Sequence, residues 1–597
     1  MHDLYRILQG IPVQIHKTNF LHLALVYEIL LKVVLLPLLP LTLLLHDPIV
    51  WRHLALILIF KENHLIHLII QTGDNILQGF FIIKLEFNSH LQILPKKLIV
   101  KIEYRKTIIL ADVSIRYCHC NTLIHIIKQV SLMNHDSNTS LVNEEQKKHF
   151  HYMTETPVSR LILSLAIPTI ISMLVTNLYN TADTWFVSSL GTSASGAVSI
   201  VFSLMAIYQA IGFMFGHGAG SNISRKLGAG DIDIVKTYSS SSFFYSILVS
   251  SLISILGLVF MDPLLHLLGS TSTILPFARQ YVFWILISGP FLSVSCVLNN
   301  ILRYEGHANF AMIGLTTGGI LNIIGDPLFM FLLGMGVSGA GISTAISQFI
   351  SFLILLGMYR KKEIVSSFHI SAVSTRSILI FSIISCGFPS LLRQSLNSIS
   401  TVILNHQAAF YGDAAIAAMG IVTKMIMFLV SLAIGICQGM QPVVSFNYGA
   451  ALYERVRKGF RFTFIFGSLL LFVFSILSFI FAPELIAWFR DDAEVIQIGT
   501  TALRLQCISC LFMSYSISAG MLFQSTGVSG TATFLSALRA GILYIPLILI
   551  LPGFLGILGI ELAQPVADIF AILISIPITE KFLKELHQRA VATLPQQ

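Results

Sequence analysis

The chain has 597 residues, of which 55% are apolar and only 11% are charged, and its formal net charge at pH 7 is +8. Soluble domains carry about 25% charged residues. This composition, with a mean hydropathy of +0.80, therefore excludes a soluble globular domain and predicts a protein that crosses a membrane several times. The positive charge does not indicate nucleic-acid binding, because the Lys and Arg residues lie between apolar segments.

The first 152 residues differ from the rest of the chain and are predicted to be an N-terminal extension. Their apolar runs are interrupted by charges or prolines, and the run from Val33 to Leu45 is short for a membrane span. Two interpretations are open: a membrane-associated domain, or translation that begins upstream of the natural start. We favour the second, because Met133 begins a polar stretch that suits the lead-in to a first membrane span.

Twelve apolar segments follow, each long enough to cross a bilayer as a helix. Short turns that are polar or contain Gly or Pro separate them. Their centres lie near residues 174, 208, 249, 288, 320, 348, 388, 427, 469, 508, 540 and 569. The predicted fold is therefore an all-α membrane protein with twelve transmembrane helices.

These segments form an internal repeat with an offset of 221 residues, at which Pro168 aligns with Pro389 and Gly228 with Gly449, or of 220 residues, at which Gly336 aligns with Gly556. The twelve helices thus divide into two six-helix lobes, residues 153–370 and residues 371–597, the second of which includes a C-terminal tail. Because six is even, both lobes have the same orientation, which implies pseudo-two-fold symmetry about an axis along the membrane normal. Duplicated bodies of this kind are typical of transporters.

Lys and Arg residues concentrate after the second, sixth and eighth segments, whereas the loops after the first, fifth, seventh and eleventh segments hold almost none. By the positive-inside rule, both ends of the twelve-helix body are predicted to be cytoplasmic.

The sequence contains no G-x-x-x-x-G-K-[ST] nucleotide loop and no H-E-x-x-H metal-hydrolase motif, so an ion gradient is the remaining economical energy source. A lone acid, Asp183, lies in the second half of the first apolar segment, where an ionised carboxylate costs on the order of a few kcal/mol. It is either a structural polar contact near the end of the span or a group that faces a cavity and binds a proton or a cation.

The fifth and sixth segments carry the other candidates for ion coupling. Asn322 and Asp326 are spaced i, i+4 and so share a helix face, and Pro327 removes a backbone donor and is expected to kink the span. Thr344 and the carbonyl of Ala340 lie on the next segment. With the acid of the first segment, these groups form an oxygen-only set that suits Na⁺, and two poorly solvated carboxylates also suit a proton. The choice between Na⁺ and H⁺ stays open.

The body from about Pro157 to Leu586 resembles the MATE (multidrug and toxic compound extrusion) transporters. The resemblance rests on N-x-A-D-T-x-F-V-x-x-L-G from Asn180 to Gly191, R-x-L-G-x-G-D from Arg225 to Asp231, and N-x-x-x-D-P from Asn322 to Pro327. The order of these motifs is specific. The resemblance implies a secondary active antiporter, not an enzyme, that exports organic cations or amphipathic drugs in exchange for Na⁺ or H⁺ as its two lobes rock.

The resemblance also implies where the coupling ion binds. The first-lobe site for H⁺ or Na⁺ maps onto Asp183, Asn322, Asp326, Thr344 and the carbonyl of Ala340. Further first-lobe cavity positions map onto Pro168, Tyr179, Tyr281 and Asn299. We accordingly expect a multi-pass protein of the bacterial cytoplasmic membrane, in contact with lipids, monomeric, and without a cofactor other than the coupling ion.

The second lobe departs from some members of the family. Its tenth segment, Arg504 to Phe523, has no acidic residue, and the seventh carries Arg393 and no acid. Subfamilies with essential second-lobe carboxylates therefore match poorly. The remaining second-lobe charges are expected to form ion pairs between helices; they are Lys424, Arg539, Glu561 and Asp568. Cys507 and Cys510 form a lone C-x-x-C inside an apolar segment and are expected to pack there.

Two alternatives of other kinds stay open. A flippase for a lipid-linked precursor, from the same superfamily of folds, is expected to need several basic residues for a pyrophosphate, whereas the spans of the first lobe have almost no cation. A non-transporting membrane receptor fits the spans but leaves Asp183 and Asp326 unexplained.

Overall fold

The computed structural model describes residues 147–592 and five strands of the N-terminal region. The chain divides into two units, Met1–Ser137 and Asn138–Gln597. The strands of the first unit form one antiparallel sheet in sequential order, each paired with the next. They are β1 Leu56–Lys61, β2 Leu65–Ile70, β3 Ile82–Leu85, β4 Lys97–Tyr104 and β5 Thr107–Ser114.

This sheet adds to the predicted all-α architecture. Its strands are short runs rich in Ile, Leu and Val, such as Lys97–Tyr104. Periodicity alone does not separate such short apolar runs from helical segments. The predicted start at Met133 lies outside the described residues.

The twelve predicted membrane spans are confirmed within the second unit, each as a helix long and apolar enough to cross a bilayer. Two short helices, Met261–Leu267 and Ala482–Phe489, follow the third and ninth spans, again at equivalent places of the two lobes. The spans are α1 Val158–Ser188, α2 Ser193–Gly228, α3 Asp233–Val259, α4 Leu275–Tyr304, α5 Ala308–Leu332, α6 Gly336–Met358, α7 Ser377–Ala409, α8 Asp413–Gly449, α9 Tyr453–Ile480, α10 Ala493–Thr526, α11 Ser529–Leu555 and α12 Ile557–Ala592.

One span of each lobe contains a π-helical turn, Leu328–Leu332 in α5 and Leu538–Leu543 in α11. In α5 this turn begins directly after Pro327, whose missing N–H interrupts the regular helical hydrogen bonds. A π-helical turn thus follows the proline at which the kink is predicted.

The two lobes meet symmetrically where α2 and α8 end. A Cβ atom on Gly228 would lie 2.0 Å from the carbonyl oxygen of Phe446, and one on Gly449 would lie 2.0 Å from the carbonyl oxygen of Arg225. Gly449 is the repeat equivalent of Gly228, and Phe446 is the repeat equivalent of Arg225, at the same offset that aligns Pro168 with Pro389. Each lobe thus places a glycine against the equivalent carbonyl of the other, and a side chain there would hold the helices apart.

Within the described residues, the hydrogen bonds between the lobes extend from one end of the bundle to about its middle. We name the end at which α1 begins the N-terminal face, and the other end the opposite face. Within residues 147–592, the interlobe hydrogen bond nearest the opposite face joins Asn177 of α1 to Ser431 of α8, over 2.6 Å. The others lie nearer the N-terminal face, among them the bond of 3.0 Å from the Ser221 hydroxyl to the Gln524 carbonyl. Between the bond from Asn177 to Ser431 and the opposite face, no hydrogen bond joins the two lobes within residues 147–592.

The linker between the lobes, residues 359–376, is docked on the first lobe. The carboxylate of Glu305, which follows α4 and is 1% exposed, accepts hydrogen bonds of 3.0 Å from the backbone N–H groups of Val365 and Ser366. The Tyr245 hydroxyl of α3 donates to the Ser374 carbonyl over 2.9 Å. Burial raises the pKa of Glu305 to about 7, against the opposing effect of its hydrogen bonds.

Candidate functional site

The acid of α1 is buried inside the first lobe, where α1 packs against α5. Asp183 is 9% exposed, and the Tyr281 hydroxyl of α4 donates a hydrogen bond of 3.2 Å to its Oδ2. Its other oxygen, Oδ1, is buried and has no hydrogen-bond partner among the described residues. Asp183 is therefore held from one side and keeps one oxygen available.

The second acid belongs to a polar cluster between α5 and α6. The Asn322 side-chain amide donates to Oδ1 of Asp326 over 3.0 Å and to Oγ1 of Thr344 over 3.2 Å. The Ser343 hydroxyl donates to the Asn322 carbonyl over 3.3 Å, and all four residues are buried. Oδ2 of Asp326 is the second buried carboxylate oxygen without a partner in the described part of the chain.

The two acids lie close enough for their charges to interact, and Tyr281 is within electrostatic reach of both. Ala340 is fully buried on α6, one turn before Thr344. We name this group the first-lobe acid site. It comprises Asp183, Tyr281, Asn322, Asp326 and Thr344, with Ala340 beside it.

This site has the donor set of a proton or hard-cation carrier. Two carboxylates that are sheltered from water and close to each other cannot both carry an uncompensated charge. Carboxylate, amide and hydroxyl oxygens are the ligands that hard cations prefer, and Asp183 Oδ1 and Asp326 Oδ2 are both free to bind one. The residues present therefore fit either a bound proton or Na⁺.

Tyr179 and Pro168 lie on the same helix as Asp183 at different distances from it. Tyr179 is one helical turn before Asp183, and its ring packs on α5. A Cβ atom on Gly319 of α5 would lie 3.1 Å from a carbon of this ring. Pro168 is inside α1, 15 residues before Asp183, which corresponds to about 22 Å along a helix. Tyr179 thus borders the first-lobe acid site, whereas Pro168 does not reach it.

Asn299 does not belong to this site. Its amide donates to the Ala311 carbonyl at the start of α5, over 2.9 Å. Ala311 precedes Asp326 by 15 residues, again about 22 Å along the helix. Asn299 therefore ties α4 to α5 near the N-terminal face, and its place in a first-lobe cavity stays a prediction.

The acid of α12 is saturated by structural contacts. Asp568 accepts hydrogen bonds from Arg539 over 2.6 Å, Gln564 over 2.9 Å and Ser509 over 3.2 Å. The predicted ion pairing thus holds for Arg539 and Asp568. Lys424 is exposed and Glu561 is buried, and within residues 147–592 neither forms an ion pair.

Cys507 and Cys510 are buried in the apolar core of the second lobe. In the described part of the chain, no group of three or more His, Cys, Asp or Glu side chains is placed to hold a metal ion.

The profile of the MatE family matches residues 168–328 and 389–550. The chain belongs to the MatE family. Its members, the MATE transporters, are membrane transporters and not enzymes. The two matched segments begin at Pro168 and at Pro389, the pair of prolines that the internal repeat aligns.

Curated relatives of this MATE chain include proteins named multidrug export protein MepA. The one from Staphylococcus saprophyticus subsp. saprophyticus is 26% identical over 424 residues, which are 70% of this chain and 93% of the relative. The one from Staphylococcus aureus strain MSSA476 is 26% identical over 422 residues, with the same coverage of 70% and 93%.

Solved structures of MATE proteins share the fold. A MATE protein in complex with MaL6 is 24% identical, with a TM-score of 0.70 over 73% of this chain and 99% of the other. An outward-facing multidrug resistance MATE family transporter of the MOP superfamily gives the same identity and TM-score, over 73% and 98%.

Sequence reasoning missed a polar network between the lobes of this MATE chain. Arg303, in the last turn of α4, donates hydrogen bonds to Gln438 of α8, to Asn300, and to Nε2 of His217 over 3.0 Å. Because the guanidinium can only donate, Nε2 accepts, so Nδ1 of His217 carries the proton and donates to the Ser390 hydroxyl of α7 over 2.6 Å. Arg303 lies at the end of a span, so from sequence alone it resembles a charged residue of a loop. No sequence motif connects it with Gln438, His217 and Asn300.

Proposed function

We propose that the chain is a secondary active multidrug antiporter that exports organic cations or amphipathic drugs in exchange for Na⁺ or H⁺. Its membership of the MatE family and the names of its MepA relatives support this function. The observation that carries it is the first-lobe acid site, where two buried carboxylates each keep one oxygen free of hydrogen bonds among the described residues. A purely structural acid is saturated instead, as Asp568 is.

The residues of the first-lobe acid site have separate roles in this mechanism. The Tyr281 hydroxyl orients Asp183, and the Asn322 amide holds Asp326 against Thr344. A bound proton or Na⁺ supplies the positive charge that allows both acids to stay buried.

Helix α1 connects this site with the contact between the lobes. It carries Asp183 near one end, and Asn177, one and a half turns earlier, donates a hydrogen bond to Ser431 of the second lobe. A change in the charge of the acid site therefore acts on the helix that joins the lobes. We propose that the site binds its cation with different affinity in two arrangements of the lobes, and that α1 connects the site to the lobe contact. Coupling requires such a difference in affinity between two states.

We place the N-terminal face in the bacterial cytoplasm, because Lys and Arg concentrate at that face and positive charge favours the inner side of a membrane. We propose that the lobes separate toward the outside of the cell, because within residues 147–592 no hydrogen bond joins them between Asn177 and the opposite face. Both lobes belong to one chain, so a monomer is sufficient for transport, and many large apolar side chains on the spans are exposed for contact with lipid.

Dye efflux from a bacterial host that lacks its own multidrug pumps tests this function. The wild type, Asp183→Asn and Asp326→Asn are compared at equal membrane expression, with and without external Na⁺. The control is Asp491→Asn, which alters an exposed acid between α9 and α10. We expect the wild type and the control to export ethidium and both site variants to lose export, and the response to Na⁺ identifies the ion.

Normal export by both site variants would contradict the coupling role of the first-lobe acid site. If the wild type exported no cationic dye, the antiporter function itself would be contradicted.

A further inference from the structure

A cavity of about 370 Å³ lies between α1 and α9, where the two lobes meet near the N-terminal face. The two helices are neighbours there, since a Cβ atom on Gly459 of α9 would lie 3.6 Å from Val158 of α1. Each lobe therefore contributes one wall of the cavity. The lining residues are Pro157, Val158 and Ser159 at the start of α1, and Arg455, Lys458 and Phe462 in the first three turns of α9.

Lys458 brings an unpaired positive charge to this cavity. Its side chain is exposed, and within residues 147–592 it forms neither a hydrogen bond nor an ion pair. The acid one turn earlier on α9, Glu454, is already bound by Arg457 over 2.5 Å and by His587 over 2.6 Å. Lys458 is thus free to bind an anion that enters the cavity.

Arg455 adds a second positive charge, which is fixed in place. Its guanidinium donates hydrogen bonds to the side-chain oxygen of Asn447 over 2.8 Å and to the carbonyl of Thr156 over 2.7 Å, and both acceptors are neutral. An acid within its electrostatic reach, Glu155, is exposed and pairs with His151 over 2.7 Å. Arg455 precedes Lys458 by three residues, so the two cations share one face of α9.

Beyond Lys458, the same face of α9 is apolar and exposed. Phe462 is half-buried, and Ile465, Leu469 and Phe472 are 62%, 57% and 47% exposed. Their spacing of four, three, four and three residues from Lys458 places them in one stripe. The stripe extends over 14 residues, about 21 Å along the helix, which is more than half of a hydrocarbon core of roughly 30 Å. A basic cavity therefore continues into a surface that suits an acyl chain.

The pseudo-symmetry shows that the fold does not require this cation. At the offset of 221 residues, Lys458 is equivalent to Thr237 of α3, and Phe462 is equivalent to Ser241. The linker covers the equivalent place on the first lobe, where the backbone N–H of Ser374 donates to the Ser241 hydroxyl over 3.0 Å. The place that the linker fills beside α3 is thus an open, basic cavity beside α9.

We propose that this cavity binds the phosphate of an anionic phospholipid, with an acyl chain of that lipid along the exposed stripe of α9. The inference goes beyond the proposed function and does not depend on which substrate is exported. Basic pockets between membrane helices bind acidic headgroups, and an apolar stripe beside the pocket selects a lipid over a free phosphate. Lys458 contacts the phosphate, and Arg455 adds positive charge. Because the walls belong to both lobes, the bound headgroup links α1 to α9.

Two lipids with the same acyl chains and different headgroups test this site. Native mass spectrometry of the purified full-length protein measures the affinity for dioleoylphosphatidylglycerol, which is anionic, and for dioleoylphosphatidylcholine, which is zwitterionic. The wild type is compared with Lys458→Gln and Lys458→Glu. Arg455 is left in place, because its hydrogen bonds hold the segment before α1. The matched control is Lys236→Gln, which removes an exposed cation at the start of α3, on the same face of the bundle.

We expect the wild type to bind phosphatidylglycerol at least about fivefold more tightly than phosphatidylcholine. One basic residue at a membrane surface accounts for about fivefold in affinity for an anionic lipid. Lys458→Gln should therefore bind phosphatidylglycerol about fivefold more weakly, and Lys458→Glu more weakly still, whereas their affinity for phosphatidylcholine stays unchanged. Lys236→Gln should bind both lipids as the wild type does.

Equal losses from Lys458→Gln and Lys236→Gln would overturn the site, because they would show a general attraction of anionic lipid to the basic face. Unchanged binding of phosphatidylglycerol to Lys458→Gln would overturn it as well. Soluble sn-glycerol 3-phosphate separates a lipid site from a site for a free phosphate ester. We expect an excess of it to leave the bound lipid in place, and displacement of the lipid would overturn the assignment to a phospholipid.

Discussion

Asp183 and Asp568 are both buried acids on membrane-spanning helices, but they differ in the number of donors directed at them. Asp568 accepts hydrogen bonds from three side chains, one of which is the cation Arg539. Asp183 accepts one from a described residue, the hydroxyl of Tyr281. In the proposed function, the number of donors, more than burial, distinguishes the structural acid Asp568 from Asp183, which we propose to exchange an ion.

The Tyr281 hydroxyl is predicted to tune the ion affinity of the first-lobe acid site. Tyr281→Phe keeps the ring but removes the hydrogen bond to Asp183. Hydrogen bonds to charged groups contribute about 1.5–3 kcal/mol, so we expect the apparent affinity for the coupling ion to change by about tenfold or more. Dye efflux measured against external pH and Na⁺ concentration reports this change.

The control for this substitution is Tyr411→Phe, which removes a hydroxyl that donates to the Pro552 carbonyl in the second lobe. It is expected to leave the ion dependence of efflux unaltered. If Tyr281→Phe also left it unaltered, the hydroxyl would have no part in coupling.

At the level of the helices, the ends of α2 and α8 are predicted to tolerate no side chain at their contact. A Cβ atom on Gly449 would lie 2.0 Å from the backbone oxygen of Arg225, which cannot withdraw without moving α2. We expect Gly449→Ala to separate the lobes at the N-terminal face, to lower the free energy of unfolding by about 1–3 kcal/mol and to reduce dye export.

Gly420→Ala is the matched control on the same helix, because a Cβ atom there would meet nothing within 4 Å. Alanine has the higher helix propensity, so this variant is expected to be neutral or slightly stabilised. Thermal unfolding of the two purified variants measures the difference, and equal melting temperatures would argue against the close lobe contact.

The folded protein is predicted to become less stable as pH rises, because Glu305, which binds the linker, then loses its proton. Burial raises the pKa of this carboxyl from 4.5 to about 7, so the folded protein holds its proton more tightly than the unfolded chain does. The stabilisation is complete below pH 4.5 and is lost as pH rises toward 7, by up to about 1.4 kcal/mol per pH unit.

Glu305→Gln keeps the shape of this side chain and removes its proton equilibrium. Between about pH 5 and about pH 8, the melting temperature of the wild type should fall relative to that of Glu305→Gln. Parallel curves for the two proteins would show that Glu305 does not titrate in this range.

At the level of the whole molecule, the sequence carries the architecture in local patterns. The length of each apolar segment was sufficient to predict the twelve spans, and the internal repeat predicted the two lobes. The repeat also relates two contacts between the lobes. Gly228 lies against Phe446, and their repeat equivalents, Gly449 and Arg225, lie against each other. The pair of Asn322 and Asp326 was also predictable, because both lie on one face of one helix.

Contacts between helices were harder to predict. In a membrane every face of a helix can be apolar, so hydropathy does not fix how a helix is rotated about its axis. Tyr281 reaches Asp183 from a helix 98 residues further along the chain, and Arg303 meets Gln438 across the lobe boundary. For the same reason, the hydrogen bond from Asn299 to the start of α5 was not predicted.

If the first-lobe acid site exchanges a cation for substrate, binding of the substrate releases that cation. Rhodamine 123 is added to purified protein, and the release of H⁺ in weak buffer or of preloaded ²²Na⁺ is measured per bound dye. Binding of ion and substrate is reciprocally linked, so we predict release of about one cation by the wild type and none by the double variant of Asp183→Asn and Asp326→Asn. Equal release from both proteins, or dye binding by the wild type without release of either ion, would contradict an exchange of cation for substrate at this site.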